Sequence, residues 1–378
     1  MFEPSKNAIG TICFTTYNRG KLLLPTIEKI LPEIDSRWPV LISDNASDRD
    51  NKAYREIEKI AKSTQNVHYH RHTQNGLFEG NFLSLFDLVP TQFMMLLSDE
   101  DSPCIETLMS MTSFLVENRD IGAIRPGIGT LPNVRRVQAC SFKNECFAAG
   151  EGVGRFGLTG NYVSGAIYNT KLLNELRIPQ RLKKNLLANQ AYPHLYVNIL
   201  ASANSKTMFY DKVTCFEGNL NLYEPWLFTD YFGAFSYGQR INQFIALRNV
   251  IFEAYCDIQK KKKRDENIFG KFYEDYKLLC SKYFMLVLTA QGRMYQNNLI
   301  SIEPLAKSFT LFCLGAVDHF PYFQNIKHSL AEDINSIAEH WLERISTQPA
   351  KDIKKSAKPT IKTAQKDERI IYAVNLVS

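Results

Sequence analysis

Short apolar runs alternate with amphipathic segments through the first hundred residues of the chain. Runs rich in β-branched and aromatic residues predict buried strands at residues 8–15, 38–44, 66–72 and 93–97. Between these runs, apolar positions recur every three or four residues and predict helices at residues 21–34, 51–63 and 79–89. Strands that alternate with helices of this length predict a mainly parallel α/β sheet with helices on both faces.

The alternation is less regular after residue 122. Strands are predicted at residues 122–129, within 155–173 and at 206–219, and a helix is predicted at residues 192–204. Long apolar-periodic segments then predict helices at residues 233–258, 269–297, 303–317 and 328–345. We therefore expect an α/β domain over residues 1–225, a helical domain over residues 226–346 and a basic tail over residues 347–378.

The composition is that of a globular protein, and we expect it in the cytoplasm. Of the 378 residues, 45% are hydrophobic and 22% are charged. The chain has no N-terminal secretory pattern and no run of about 18 apolar residues. Its eight cysteines are scattered without a Cys-x-x-Cys pair, which indicates reduced thiols.

The net charge of +6 is concentrated in two lysine-rich stretches, residues 260–264 and the tail. One interpretation is a solvated surface. The other is attraction to anionic lipid headgroups or to a polyanionic acceptor. Aromatic residues are not interleaved with these charges, so we do not expect the protein to bind nucleic acid.

The apolar strand at residues 93–97 ends in three carboxylates, Asp99, Glu100 and Asp101. Strand alternation would turn Asp99 and Asp101 to one side and Glu100 to the other. Such a DXD pair can hold Mg²⁺ or Mn²⁺, which are bound through one or two carboxylates plus the phosphate oxygens of a substrate. The alternative is an acidic helix start that merely favours the helix dipole. A helix is predicted over residues 103–119, with Ser102 as N-cap and Pro103 as first helical residue.

Five segments, in order along residues 8–220, resemble the GT-A glycosyltransferases of family 2. They are ICFTTYNRGKLL (12–23), VLISDNASDRD (40–50), HTQNGLFEGNFLSLF (72–86), MMLLSDED (94–101) and GNYVSGAIYNTKLL (160–173). Thr15 stands where that family commonly has proline. The resemblance implies a GT-A fold, which is Rossmann-like, with a mainly parallel sheet flanked by helices. Within the family, the pattern is most similar to the abequosyltransferase-like branch, which decorates bacterial surface polysaccharides.

The resemblance also implies roles for individual residues. A nucleotide diphosphate sugar would be bound by Thr15, Tyr17, Arg19, Asp44, Asn75 and Asp99. A Mn²⁺ or Mg²⁺ cofactor would be held by Asp101 with help from Asp99, and Ser164 and Gly165 would lie on the acceptor side. The alternative to a binding role is a structural role in a turn. Thr15, Tyr17 and Arg19 would then form the entry to a helix, and Asp44 would form an Asx turn.

Sugar transfer with inversion needs a general base near the acceptor hydroxyl. The family usually supplies an aspartate ahead of a helix, but the corresponding stretch, residues 185–200, contains no acid. His194 is the only titratable base there and is our candidate, with Glu217 and Glu224 as fallbacks. The alternative for His194 is a contact with substrate or a place in the core.

The resemblance thus implies a metal-dependent, inverting glycosyltransferase of bacterial surface polysaccharide synthesis. Its acceptor would be a glycan or a lipid-linked glycan, met at the cytoplasmic face of the inner membrane, where the basic tail would act as a peripheral tether. The helical domain would shape the acceptor site, form a homo-oligomer or meet the membrane. Two other functions stay open: a sugar-phosphate nucleotidyltransferase, and a non-catalytic glycan-binding or scaffold protein.

Overall fold

The computed structural model describes residues 3–130, 135–136, 144–160, 162–184, 192–218, 237–261, 267–296 and 301–346. These residues divide into two compact units. The first contains the described residues up to 218 together with residues 253–261, and the second contains the remainder. The predicted boundary at residue 225, the basic tail and Glu224 lie outside the described residues.

The first unit is built on one mixed sheet. Its described strands are β1 (Gly10–Thr16), β2 (Val40–Asp44), β3 (Val67–Arg71), β4 (Phe93–Ser98), β5 (Ser102–Pro103), β6 (Ile121–Thr130), β7 (Arg135–Arg136), β8 (Glu145–Phe147), β9 (Ile167–Asn169) and β10 (Lys206–Glu217). The order across the sheet is β3-β2-β1-β4-β9-β6-β10-β5, with β7 beside β6 and β8 beside β10. Strands β3, β2, β1 and β4 run parallel, as do β6 and β10, and β9 runs antiparallel between β4 and β6.

Helices connect these strands. They are α1 (Gly20–Ile30), which continues into a 3₁₀ turn (Leu31–Glu33), α2 (Asn51–Ser63), α3 (Leu77–Leu88), α4 (Ile105–Glu117), α5 (Thr170–Glu175), α6 (Ile178–Lys183) and α7 (Pro193–Asn204). The predicted α/β fold, with a sheet flanked by helices, is confirmed; the sheet is mixed, and its longest strand pairings are parallel.

The core explains why the apolar runs become strands. Every residue of β1 and β2 is buried, and Phe14, Ile42 and Leu97 lie in one cluster with the inner faces of α1, α2 and α4. Cutting a fully buried phenylalanine such as Phe14 back to alanine would cost about 3–5 kcal/mol of folding free energy. This packing fixes where each strand ends, and polar side chains follow directly after those ends.

The predicted start of α4 is wrong. Ser102 does not cap the helix, because Ser102 and Pro103 form β5, which pairs antiparallel with the end of β10. The N–H of Cys104 donates to the carbonyl of Thr214 at 2.7 Å, so α4 begins only at Ile105. Pairing with a distant strand has overridden the local helix-start signal, and this pairing ties the acidic segment to β10.

The second unit is helical, as predicted. It contains the first part of α8 (Tyr237–Lys261), and then α9 (Ile268–Gln296), α10 (Ile302–Gly315), α11 (Pro321–Asn325) and α12 (Lys327–Ser346). Phe244 is fully buried and makes edge contacts with Tyr276, Tyr283 and Phe309. None of the helices within the described ranges is both long enough and apolar enough to cross a membrane.

Candidate functional site

The predicted site residues of β1, β2 and β4 meet at one edge of the sheet. In the parallel register, Thr16 of β1 lies beside Asp44 of β2, and Thr15 lies beside Ser98 of β4. Open α/β sheets bind their ligands at the carboxyl ends of their strands. The acidic segment, the β1–α1 turn and Asp44 therefore border the same edge.

Arg19 neutralises part of the acidic segment. Its Nη1 atom lies 2.7 Å from Oδ1 of Asp99 and 3.0 Å from Oε2 of Glu100. Regular strand alternation has already ended at this point, because the N–H of Asp101 donates back to the carbonyl of Ser98 and closes a turn. The expectation that Glu100 points away from Asp99 is therefore wrong: both contact the same guanidinium, and Asp101 is the one that turns elsewhere.

The β1–α1 turn places Arg19 for this contact. Asn18 has a left-handed backbone, with φ of 57°, and its side-chain oxygen accepts hydrogen bonds from the N–H groups of Asp48 and Arg49. The N–H of Arg19 donates to the hydroxyl of Tyr54 at 3.1 Å. An asparagine tolerates this backbone conformation better than most residues, so the polar turn holds the arginine at the exit of β4.

Asp101 is the carboxylate best prepared for a cation. It is fully buried, and its Oδ1 accepts hydrogen bonds from the Tyr162 hydroxyl at 2.6 Å and from the Gly218 N–H at 2.9 Å. Its Oδ2 is buried and accepts no hydrogen bond of ordinary geometry from the described residues. Burial, with the nearby charge of Glu100, raises the pKa of Asp101 to about 6.

This arrangement fits a Mn²⁺ or Mg²⁺ ion. A buried carboxylate oxygen with no partner is costly unless a proton or a cation satisfies it. Within the described ranges, no three His, Cys, Asp or Glu side chains form a cluster that would hold a metal by itself. A hard cation that takes one or two carboxylates and completes its coordination with water and substrate phosphates needs no such cluster.

Asp44 has partners for both carboxylate oxygens. Oδ1 accepts the N–H of Ser47 at 2.9 Å, and Oδ2 accepts the hydroxyl of Tyr69 at 2.5 Å. The Nε atom of Arg71 lies 3.7 Å from the same Oδ2. The turn that the sequence left open as an alternative is therefore formed, and a nucleotide contact by Asp44 would have to share these oxygens.

The other predicted nucleotide residues differ in exposure. Tyr17 is 40% exposed and free to stack, whereas Thr15 is buried and donates to the carbonyl of Leu97 at 3.4 Å. The side-chain oxygen of Asn75 accepts from the amide of Asn45 at 2.7 Å and from the N–H of Leu77 at 2.8 Å. Asn75 thus sets the entry to α3 beside the end of β2.

Ser164 and Gly165 attach the predicted acceptor side to β4. The hydroxyl of Ser164 accepts the N–H of Ser98 at 2.8 Å, and the N–H of Gly165 donates to the carbonyl of Leu96 at 2.8 Å. Gly165 has φ of +81°, and a Cβ there would lie 2.8 Å from the sulfur of Cys215. This position therefore requires glycine.

A family model now identifies the first unit. The model described as Glycosyl transferase family 2 matches residues 11–177. Residues 11–177 are therefore the part of the chain that is assigned to this family. The matched range includes the β1–α1 turn, Asp44, the acidic segment and the Ser164–Gly165 strand entry. No curated protein matches the chain at the level of sequence.

Solved structures with low sequence identity resemble the chain. TarS residues 1–349 from S. aureus, in complex with UDP, is 12% identical with a TM-score of 0.48, and the match covers 89% of this chain and 91% of that one. The mannosyltransferase PcManGT from Pyrobaculum calidifontis, in complex with GDP-Man and Mn²⁺, is 15% identical with a TM-score of 0.45, and the match covers 88% of this chain and 86% of that one.

His194 is fully buried near the start of α7, beyond the range that the family model matches. Its Nε2 lies 3.2 Å from the carbonyl oxygen of Gly160. A carbonyl oxygen only accepts, so Nε2 carries the proton in this contact. Glu217 is half-buried at the end of β10, and the next residue, Gly218, donates its N–H to Asp101. Burial, with the charge of Glu100, raises the pKa of Glu217.

Sequence reasoning missed three residues of this edge of the family 2 domain. Asn45 holds the α3 entry through Asn75 and Gly76, Tyr162 contacts Asp101, and Arg125 lies beneath the segment that carries Tyr162. Asn45 and Tyr162 stand inside segments that resemble the family, so their polar side chains were visible candidates. Arg125 lies within an apolar strand pattern, and a single arginine there does not form part of any motif that the sequence would reveal.

Proposed function

We propose that this protein is a metal-dependent, inverting glycosyltransferase that moves a sugar from a nucleotide diphosphate sugar to an acceptor hydroxyl. The observation that carries the proposal is the unpartnered buried oxygen of Asp101, at the carboxyl edge of a family 2 domain. A purely structural aspartate would be expected to have both oxygens satisfied, as Asp44 does.

Asp101 would hold the Mn²⁺ or Mg²⁺ ion, with Asp99 in support. The bound ion would stabilise the charge that develops on the departing diphosphate. Asp99 is occupied by Arg19, so its support requires the guanidinium to turn toward the donor phosphates, to which arginine can donate two hydrogen bonds. Thr15, Tyr17, Asp44 and Asn75 would bind the nucleoside around this point.

The acceptor would lie beside Ser164 and Gly165, and its hydroxyl needs a base. His194 is the candidate that the sequence predicts, but with Nε2 on the Gly160 carbonyl it would have to act through Nδ1. Glu217 is favoured by a separate observation, since it adjoins the Gly218 contact to Asp101 and is half-buried rather than enclosed. We propose Glu217 as the second candidate base.

The role in the cell follows the resemblance to the abequosyltransferase-like branch. We place the protein in the synthesis of a bacterial capsule, O-antigen or lipooligosaccharide, at the cytoplasmic face of the inner membrane. The acceptor is then a glycan or a lipid-linked glycan, and the basic tail is a peripheral tether to anionic lipids. The helical unit is available for homo-oligomer formation.

Donor hydrolysis tests the proposal. The wild-type protein should release nucleoside diphosphate from one member of a panel of UDP-, GDP-, CDP- and dTDP-sugars only when Mn²⁺ or Mg²⁺ is present. Asp101→Asn should abolish this release. Asp120→Asn is the matched control, because Asp120 is exposed and pairs with Lys206 beside the start of β6, at the opposite edge of the sheet.

Two other results would point to other functions. Pyrophosphate formed from a sugar phosphate and a nucleoside triphosphate would indicate a nucleotidyltransferase. Binding of glycans without turnover of any donor would indicate a non-catalytic glycan-binding protein.

A further inference from the structure

Arg125, in the middle of β6, is a buried cation without a carboxylate partner among the described residues. Its side chain is 2% exposed, and its Nε and Nη1 atoms make no hydrogen bond of ordinary geometry there. A buried guanidinium is costly unless other polar groups compensate for the lost water. Part of the compensation comes from main-chain carbonyls: Nη2 donates to the carbonyl of Tyr162 at 2.6 Å and lies 3.5 Å from the carbonyl oxygen of Gly160. The hydroxyl of Tyr168 also interacts with the guanidinium.

The segment that begins at Gly160 is shaped around this guanidinium. Gly160 has φ of +75°, and a Cβ there would lie 2.2 Å from Nη2 of Arg125. Only glycine leaves the arginine its place. The carbonyl of Gly160 is also the group that His194 contacts through Nε2 at 3.2 Å. Arg125 and His194 therefore hold the same stretch of main chain.

Two side chains of this segment reach the exit of β4. The hydroxyl of Tyr162 donates to Oδ1 of Asp101 at 2.6 Å, and Ser164 accepts the N–H of Ser98. The Tyr162 hydrogen bond holds one oxygen of the Asp101 carboxylate in place. It also fixes the plane of the carboxylate, and so the direction of Oδ2. Without it, Oδ1 would still accept the N–H of Gly218, and Asp101 would keep its interaction with the Ser164 side chain.

We propose that Tyr162 is a positioning residue for Asp101, and that Arg125 anchors Tyr162 through the main chain, so that together they set the affinity of the site for a divalent cation. The inference rests on the proposed function and deepens it. Two contacts form this relay: the Arg125 guanidinium donates to the Tyr162 carbonyl, and the Tyr162 hydroxyl donates to Asp101. Neither Arg125 nor Tyr162 needs to touch the donor.

The test removes one hydroxyl. Tyr162→Phe is compared with Tyr276→Phe, because Tyr276 of the helical unit is also buried and its hydroxyl donates to another partner, the carbonyl of Cys313 at 2.5 Å. The first readout is the rise in melting temperature with increasing Mn²⁺ at fixed nucleoside diphosphate, which does not depend on turnover. The second is the Mn²⁺ concentration that gives half-maximal donor hydrolysis.

We expect Tyr162→Phe to need about tenfold more Mn²⁺ in both readouts, because the carboxylate loses a charge-assisted hydrogen bond. Tyr276→Phe should shift neither by more than twofold. A Tyr162→Phe protein that melts earlier but has the wild-type Mn²⁺ requirement would overturn the inference and leave a structural role only. A wild-type protein with no Mn²⁺-dependent rise would overturn the proposed metal dependence, and this inference with it.

The anchoring step has its own variant. Gly160→Ala forces a Cβ against Arg125 and strains the backbone without altering Asp101 or Tyr162, so it should raise the Mn²⁺ requirement in the same direction. Gly238→Ala is the control, because a Cβ there meets no atom within 4 Å. A Gly160→Ala protein that folds and keeps the wild-type Mn²⁺ requirement would remove Arg125 from the relay.

Discussion

Arg19 and Asp99 form an ion pair at the exit of β4, with Nη1 of the arginine 2.7 Å from Oδ1 of the aspartate. The aspartate side chain is 3% exposed and the arginine side chain 19%. Burial raises the pKa of Asp99, and the charge of Arg19 opposes that rise. Arg19 therefore supplies one positive charge to the acidic segment, and the carboxylate of Asp101 is left for a bound cation.

This pair predicts a stability defect when the arginine alone is removed. Arg19→Met leaves Asp99 buried and uncompensated, and we expect it to lower the free energy of unfolding by about 3 kcal/mol at pH 7.5. Urea unfolding measures the change. The double variant Arg19→Met/Asp99→Asn should recover most of the loss.

The matched control for Arg19 is an exposed pair. Lys62→Met breaks the contact with Glu58 on α2, where both side chains are largely in solvent, and should change stability by less than about 0.5 kcal/mol. Equal losses in Arg19→Met and in the double variant would show that Asp99 does not depend on Arg19.

Much of this edge follows from local sequence. The uninterrupted apolar run before Asp99 predicts a buried strand, and parallel strands bring their carboxyl ends together, so the meeting of Asp44 with the acidic segment follows from the pattern. The directions of the carboxylates do not. They depend on a turn that begins at Ser98, where strand alternation stops, and on Arg19, which is 80 positions away along the chain.

Long-range pairing accounts for the other differences. Ser102 has every local feature of a helix cap, but β10 pairs with it, and no periodicity reveals that strand contact. His194 is the base that the sequence predicts, but its ring contacts the Gly160 carbonyl, which Arg125 also approaches. Buried polar groups are satisfied by whatever the fold brings near them, and a single sequence does not state those partners.

Asp101 predicts opposite pH dependences for metal binding and for stability without metal. Its pKa is raised from 3.8 to about 6. Metal ligation needs the carboxylate, so the apparent Mn²⁺ affinity should fall about tenfold per pH unit below 6. Without metal, the stability of the fold depends on pH in the opposite direction. The contribution of Asp101 to stability is fully present below pH 3.8 and is lost as pH rises through 6.

Thermal melts from pH 5 to 8, with and without Mn²⁺ and nucleoside diphosphate, measure both effects. The Mn²⁺-dependent rise in melting temperature should grow with pH and level off above 7. A rise of constant size across this range would contradict the raised pKa of Asp101 or its role as a ligand.

Glu79 predicts a stabilising substitution. It lies in the first turn of α3, is buried, and burial raises its pKa from 4.5 to about 8. Its contribution to stability is therefore present below pH 4.5 and is lost as pH rises through 8. Glu79→Gln should raise the free energy of unfolding by about 1–2 kcal/mol at pH 9, after allowance for residual solvent contact.

The gain from Glu79→Gln should shrink toward pH 5, as denaturant unfolding at both pH values will reveal. Glu106→Gln is the control, because Glu106 occupies the first turn of α4 but is exposed. A gain of the same size at pH 5 and pH 9 would mean that helix propensity, and not the buried charge, is responsible.

The two base candidates predict different kinetic losses. Glu217 is half-buried beside the Asp101 contact, so Glu217→Gln should lower kcat for transfer by about 10²–10³-fold, the scale of one general base, while the donor KM and the melting temperature stay near wild type. His194 is enclosed and contacts the Gly160 carbonyl, so His194→Gln should lower the melting temperature together with kcat. Initial rates with a saturating acceptor, measured alongside thermal melts, separate these cases. If His194→Gln loses kcat at unchanged melting temperature while Glu217→Gln stays active, the base is the histidine that the sequence predicts.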